Sequence, residues 1–565
     1  MKNKIEREDE MNATKELELR TLTSLAKVFP DKIYGKSAKF CDAALGQEAS
    51  FQIAYRSVDR RAHRYACDYD VKIESELADR ISLWRVENAV STFPVYVNTP
   101  DKELITKRPG LFPDPLIPMI GGEKLHIARD VWHAMWVSVD LHGDVVPQNY
   151  PITVKFYREG DFIDEVTFTV KLHGITLPDE SIDFTQWFHC DCIADVHKVK
   201  VFSEKHWELI ERYMDLAAKH GINIILTPVL TPPLDTRVGG ERPTVQLVEI
   251  EKEGDRYSFD FSSLGRYVEI ASRCGIHRFE INHMFTQWGA EHAPKVVAKV
   301  NGRKRKIFGW DTKATSREYA DFLRQLIPSL IEAFESFGVA KKDLFFHISD
   351  EPHAEHLDNY RAAGDILLPL IKGCRHIDAL SNVEFYRNGL IETPVTATTH
   401  ADEFLSEEVE GLWCYYYCGA SVNVSNRFFA MPSARTRAIG VQIYRAGIVG
   451  FLHWGYNFYY TQFSTKLIDP YLDTSAGDVF PSGDAFSVYP YGNEAVPSLR
   501  LKVFAEALDD IKLLKLLEAR IGREEVIRLI DDIAGRKVTF DYCPVEEEFY
   551  RELERRAFKI LETTV

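Results

Sequence analysis

From about residue 187 onward the chain repeats one unit, a short apolar stretch of strand length followed by an amphipathic stretch of helix length, and this alternation constrains the fold more than any other feature. Eight strand candidates follow one another at 187–193, 223–230, 277–284, 344–350, 380–385, 395–399, 412–417 and 449–456. They are largely apolar without strict alternation, as strands covered on both faces must be, and strands separated by helices build parallel sheets. Helices are predicted at 203–220, 262–274 and 315–337, stopped by Gly221, Gly275 and Gly338, each suited to a left-handed C-cap. Thr315 and Glu318 have the spacing of a capping box at the third start. Leu501, Phe504, Leu508, Ile511, Leu514 and Leu517 recur at helical spacing and predict a closing helix over 497–521. Eight strands is the number that a closed (β/α)8 barrel of the TIM type requires.

The chain is 565 residues long, more than one core normally holds, so a second domain is expected upstream. There the period changes to two. Residues 71–75, 152–156 and 166–172 alternate apolar with polar, each predicting a strand with one buried and one wet face, and 132–139 is a candidate central strand. An N-terminal antiparallel β-sandwich is the natural packing. The segments around Pro109, Pro113 and Pro118 are expected to be loops. The resulting division is a flexible charged segment over 1–34, a sandwich over 35–185, a barrel over 186–521 and a short helical C-terminal tail over 522–565.

Composition removes several function classes. A formal net charge of −16 argues against nucleic acid or an anionic membrane surface as partner. Nine cysteines, an odd number without framework spacing, fit reduced thiols, and residues 1–25 lack the apolar core of a signal peptide, so a cytoplasmic protein is expected. Nowhere do 18 apolar residues run together, which predicts no membrane insertion. Phosphate-binding glycine loops, Cys-x-x-Cys pairs and His-Glu-x-x-His helices are missing from the sequence, and no cofactor is expected. Nothing in the sequence assigns an oligomeric state.

The chemistry concentrates at the fourth strand, Phe345-Phe346-His347-Ile348-Ser349-Asp350-Glu351-Pro352-His353. A buried strand ending in two adjacent carboxylates places them at the carboxyl-terminal mouth, where barrel enzymes keep their reacting groups. Acidic residues before a proline also suit a helix start, but with aromatics and histidines at the other strand ends the pair reads as catalytic. His189 and Asp191 would share one strand face and grip sugar hydroxyls, or Asp191 would simply orient a buried His189. With Cys190 and Cys192 so close they make a poor tetrahedral cage, so no metal is expected. His283 offers a polar grip, and Trp288 a stacking platform for the apolar face of a sugar or a core contact. The lysine- and arginine-rich stretch over 290–313 reads as a solvated face or, alternatively, a loop covering the substrate.

The seventh strand ends in Trp413-Cys414-Tyr415-Tyr416-Tyr417-Cys418 and the eighth carries His453-Trp454-Gly455, neither with a carboxylate at its end. A retaining glycosidase of the ordinary kind needs a second carboxylate about 5 to 5.5 Å from its acid. If the nucleophile is instead the carbonyl oxygen of the substrate's own 2-acetamido group, an acid and a neighbouring orienting carboxylate suffice. Adjacent Asp350 and Glu351 supply them, with Glu351 as acid/base of raised pKa and Asp350 holding the amide. Tyr416 or Tyr417 would donate to the acetamido oxygen, and Trp413 or Trp454 would wall its methyl group.

Segments 346–352, 283–290 and 450–454, with Gly483-Asp484, Tyr489-Pro490 and Ser498-Leu499-Arg500 downstream, resemble glycoside hydrolase family 123 and its uncharacterised relatives over most of the chain. The resemblance implies a β-sandwich before a (β/α)8 barrel and retaining exo-hydrolysis of β-linked N-acetylgalactosamine from a glycan or glycoconjugate. By position in the motif, Asp350 is the amide orienter and Glu351 the acid/base. Two other readings stand beside it: a non-catalytic carbohydrate-binding protein on an enzyme scaffold, and a conventional two-carboxylate glycosidase pairing Glu351 with Asp402 or Glu403.

Overall fold

The computed structural model describes residues 15–60 and 65–563. The charged start at 1–14 lies outside the described residues.

The N-terminal half is a sandwich of two five-stranded sheets. One is ordered Leu17–Thr23, Glu48–Ser57, His133–Asp140, Ile81–Ser91, Gly110–Pro118; the other is Phe40–Leu45, Asp161–Thr176, Asn149–Arg158, Ala66–Glu74, Leu125–Ala128. Between them lies a core containing Phe51, Ile53, Met135, Ile152, Val154, Phe156 and Phe168, the inward set of the alternating strands. Pairing is antiparallel except between Phe40–Leu45 and Asp161–Thr176, which run parallel. Two expectations are corrected. Residues 17–23, assigned to a flexible segment, form an edge strand paired with Glu48–Ser57. Pro113 and Pro118, expected in loops, belong to the strand Gly110–Pro118, which sits at the sheet edge beside Ile81–Ser91 and meets Ser498 on its other side through a single bridge at Pro115. An edge strand has one side free of ladder bonds, so it tolerates residues that lack an N–H.

The second half closes into an eight-stranded parallel barrel. Its strands are β1 (Asp183–Gln186), β2 (Ile224–Thr227), β3 (Arg278–Ile281), β4 (Leu344–Phe346), β5 (Arg375–Ala379), β6 (Thr393–Ala397), β7 (Trp413–Tyr415) and β8 (Gly450–His453), and β8 returns to pair with β1. All but β6, which keeps five residues, are shorter than the apolar runs that signalled them. Two were misplaced. The first strand lies before 187–193, over Asp183–Gln186, and residues 190–193 of the expected run belong instead to the helix Cys190–Val196, because an apolar run buried on all sides has the same pattern in either conformation. The fifth strand lies before 380–385, over Arg375–Ala379; its His376 and Asp378 are buried polar groups that disguise it, and Glu384–Arg387 is a short helix.

The helices Glu204–Lys219, Ser262–Arg273 and Arg317–Ser336 end as predicted before Gly221, Gly275 and Gly338, whose φ values are +85°, +86° and +86°. The third is capped one residue later than expected, by the Ser316 hydroxyl accepting from the Tyr319 N–H. The basic stretch after 290 supplies the hairpin Val296–Val300 and Arg303–Phe308 of a four-stranded side sheet, with Lys295 and Lys306 both paired to Glu241.

Beyond the long helix Leu499–Ile521, the tail forms the helices Arg523–Ala534 and Glu547–Thr563. The last reaches back to the sandwich, where Phe558 stacks on His173 at 4.3 Å. Among the described residues no helix is long and apolar enough to cross a membrane, and all nine cysteines are free.

Candidate active site

Asp350 and Glu351 follow β4 at the carboxyl-terminal mouth of the barrel and border a pocket of about 140 Å³. Its wall is aromatic, with Trp187 after β1, Trp288 after β3, Tyr415 and Tyr417 on and after β7, and Trp454 after β8.

The pair is held by its backbone. The ladder of β4 stops at Phe346, and beyond it separate bonds fasten the chain to both neighbours. The Asp350 carbonyl accepts from the Trp288 N–H at 2.9 Å, and the Glu351 N–H donates to the Ala379 carbonyl at 3.0 Å. Glu351 has φ +43° and Trp288 φ +56°, left-handed values that cost a non-glycine residue on the order of 1–3 kcal/mol and persist only where the surroundings over-determine them.

Burial and several neighbouring groups set the charge of the pair. Tyr415 donates to Glu351 Oε1 at 2.6 Å. Burial first, and then the charge of Glu351, push Asp350 well above the ordinary carboxylate range. Asp235, in the loop after β2, is a third carboxylate on the pocket wall; burial raises it to about 6, although its Oδ2 accepts from the Phe463 N–H at 3.1 Å. Beside it, Gln287 accepts from the Asp235 N–H at 2.7 Å and leaves its own Nε2 without a partner.

Beneath the pair lies a buried ion array. His347 is fully buried, with Nε2 2.7 Å from Glu280 Oε1 and Nδ1 3.1 Å from Asp378 Oδ1. Glu280 also accepts from Thr185 Oγ1 at 2.5 Å and from Trp187 Nε1 at 2.7 Å. Asp378 also accepts from the Ile348 N–H at 3.1 Å and from Tyr360 at 2.5 Å. His283, His347 and Asp378 bring ligand-capable atoms within 4.8 Å of one another. The donor set does not suit a metal: the two rings stack at 4.2 Å with 22° between planes, so no point near both lies in both ring planes, and both His347 nitrogens already face carboxylates.

The remaining sequence candidates divide. Trp288, 39% exposed, Tyr417 and Trp454 line the pocket. His189 also borders it, but Nδ1 faces Arg242 at 3.2 Å and Nε2 faces the Trp454 carbonyl at 3.2 Å, so neither nitrogen is left for a sugar. Asp191 is not in the pocket; it sits in the helix Cys190–Val196, buried against Arg242 in two bonds of 2.7 and 2.8 Å, because the strand expected to align it with His189 does not exist there. His283 is buried against Trp187 and His347 and does not line the pocket. Trp413 is inside the barrel, against Phe345 and filling the space over Gly450. Tyr416 is buried among Phe451 and His453. Asp402 and Glu403 are exposed on the helix Ala401–Ser406, away from the pocket. Sequence reasoning missed Tyr415, although side chains two apart share a strand face and the choice of Tyr417 therefore selects Tyr415, not Tyr416.

Two more distant groups brace the wall. Buried Asp484 accepts from Trp454 Nε1 at 3.0 Å and fixes that indole; burial raises its pKa to about 7 against the pull of Arg427. The sandwich contributes the loop over 92–109, whose Asp101 pairs twice with Arg435 and whose Ile105 N–H donates to the Ala430 carbonyl. The half of the chain without an active-site signal thus holds the segment that follows Tyr417.

No curated protein matches the chain. A solved family 123 glycoside hydrolase from Clostridium perfringens superposes with a TM-score of 0.69 at 14% identity, covering 97% of this chain and 98% of that one. A family 5 glycoside hydrolase from Bacteroides vulgatus reaches 0.33 at 10% identity, covering 65% and 70%, and a glycoside hydrolase described as putative from the same organism reaches 0.30 at 10%, covering 85% and 79%. Residues 187–517, more than half of the chain, match the family described as Glycoside hydrolase 123, catalytic domain. The protein is a glycoside hydrolase and belongs to family 123.

Proposed function

We propose that the protein is a retaining exo-glycosidase that releases β-linked N-acetylgalactosamine by substrate-assisted catalysis. The observation that carries the reading is the side-by-side placement of Asp350 and Glu351 on the wall of an aromatic-lined pocket. The described function of the Clostridium relative, glycolipid glycan hydrolysis, supports a glycan as the substrate class.

Two adjacent carboxyls in a dry pocket favour sharing one proton. Before substrate binds, burial favours that proton on Asp350. An acetamido N–H aimed at Asp350 bonds best to its ionised form, so substrate binding leaves the shared proton to Glu351. Glu351 gives it to the glycosidic oxygen as the acetamido carbonyl oxygen attacks the anomeric carbon, and the aglycone leaves as an alcohol. The negative charge of Asp350 stabilises the cationic oxazoline. Glu351, now a carboxylate steadied by Tyr415, takes a proton from water; the resulting attack reopens the ring and restores the β configuration. Trp454 and Tyr417 wall the sugar.

A second reading has one observation in its favour. Asp235 is a further pocket carboxylate, which a direct two-carboxylate mechanism would require. Aryl β-glycosides of N-acetylgalactosamine, N-acetylglucosamine, galactosamine and galactose separate the readings. Turnover confined to 2-acetamido sugars, fastest with N-acetylgalactosamine, is expected. Turnover of the galactoside would favour the Asp235 mechanism, and binding without any turnover would leave a carbohydrate-binding protein.

A further inference from the structure

The Glu280–His347–Asp378 array occupies a layer that barrels usually fill with branched apolar side chains. Burying three ionisable groups there is costly unless each is matched by partners. The contacts identify the charge of the central ring. A neutral imidazole has one N–H, yet both His347 nitrogens face acceptor-only carboxylate oxygens, at 2.7 and 3.1 Å, so both must donate and the ring is an imidazolium.

The array also stands where the sheet gives out. Glu280 is on β3, Asp378 on β5, and His347 is the first residue after β4. Side-chain rungs replace the missing ladder: Asp378 takes the Ile348 N–H, and the Ser349 hydroxyl donates to the Thr286 carbonyl at 3.0 Å. These rungs deliver the chain to Asp350 and to the left-handed Glu351.

We propose that His347 is a positioning residue, a permanently protonated ring that clamps β3 and β5 around the end of β4 and supplies the fixed positive charge beneath the Asp350–Glu351 pair. The inference rests on the reading of that pair as the reacting groups. Burial alone would lower the pKa of the ring, but the hydrogen bonds and charges of Asp378 and Glu280 outweigh it and bring it to about 9. His283 faces the ring from the β3 side, and His376 on β5 and Tyr360 on the helix Leu357–Leu367 meet Asp378. Asp235 and Tyr415 face the pair from across the pocket.

Two measurements test this. The first is the nitrogen NMR spectrum of the full chain with labelled histidine at pH 8, where an ordinary histidine of pKa about 6.5 is neutral. One ring should keep both N–H protons and disappear in His347→Gln. His173 also lies between two carboxylates and is assigned with His173→Gln. No doubly protonated ring beyond His173 overturns the proposal.

The second is the pH dependence of kcat/KM. Asp378→Asn removes a negative charge and should move the alkaline limb down by roughly 0.5–1.5 units, whereas His347→Gln removes a positive one and should move it up by a similar amount. Both should lower kcat roughly 10- to 100-fold with little change in KM. Limbs that stay in place, or move the same way, overturn the charge role. If His347→Gln does not fold, Glu280→Gln takes its place and should shift the limb in the same direction as Asp378→Asn; an unmoved limb there is equally fatal. A wild-type chain inactive on 2-acetamido sugars defeats the proposed function and leaves the spectrum to decide the state of His347.

Discussion

Tyr415 donates its hydroxyl hydrogen to Glu351 at 2.6 Å, joining the end of β7 to the residue that leaves β4 in a left-handed conformation. The bond favours the ionised carboxylate, the form Glu351 takes once the leaving group has gone. Tyr415→Phe should therefore lower kcat by about 10²-fold, the usual effect of losing one donor to a developing charge. Its sign on pH is fixed: without the donor the carboxylate is harder to form, so the alkaline limb of the kcat profile should move up. A rate loss with unmoved limbs would show that Tyr415 only fills space.

Glu351 and Asp350 should separate by substrate. Glu351→Gln should abolish turnover of natural glycosides while sparing activated aryl glycosides, whose leaving groups need little protonation. Asp350→Asn should cost roughly 10²-fold or more in kcat on both, because orientation and charge stabilisation are lost whatever departs. Steady-state kinetics on one aryl and one natural substrate for each variant checks the assignment, and equal losses for Glu351→Gln on both would exchange the roles.

The same Asp350 should make the protein less stable than it could be. A carboxyl raised in the folded state binds its proton more tightly there than in the unfolded chain, so its contribution is fully present below the unfolded value near 3.9 and is lost as pH rises through the folded value. Asp350→Asn removes that dependence at nearly constant shape. Its Tm should rise by a few degrees near neutral pH and match the wild type at acid pH; a lower Tm at pH 7 would mean that the carboxylate is well solvated.

How much of this was legible follows from where the information sits. Periodicity is local, so the sandwich strands could be read from residues two apart, and the three glycine-stopped helices of the barrel from residues three or four apart. Asp350 and Glu351 are adjacent and were legible for the same reason. Glu280, His347 and Asp378 are separated by 67 and 31 residues and meet only once β3, β4 and β5 are side by side, so no spacing announces them. Asp235 lies in a loop with no pattern. The first strand misled because Trp187-Phe188-His189-Cys190 is buried throughout, which erases the period that distinguishes strand from helix. His189 and Asp191 consequently looked like two ligands on one face, whereas Arg242 binds both.

A second pH response should arise far from the pocket, where the tail meets the sandwich and barrel. Arg437, on the helix Ser433–Ala446, is surrounded by Asp510, Glu506 and Glu554, three carboxylates for one guanidinium. Glu506 also accepts from Ser24 at 2.8 Å, and Glu547 from Thr23 at 2.7 Å, so the cluster ties the N-terminal strand region to two C-terminal helices. Burial raises Glu506 to about 8 and Glu554 to about 7. Raised carboxyls stabilise the fold most at low pH, fully below their unfolded value near 4.3, and lose that contribution as pH climbs through about 7 and 8. Wild-type Tm should therefore fall between pH 6 and 9, beyond any change seen at the pocket. Glu506→Gln keeps the shape and the Ser24 contact but cannot ionise, so its melting curve should be flatter over that range and lie above the wild type at pH 8.5. Parallel curves for the two proteins would show that solvent reaches the cluster and that Glu506 ionises without strain.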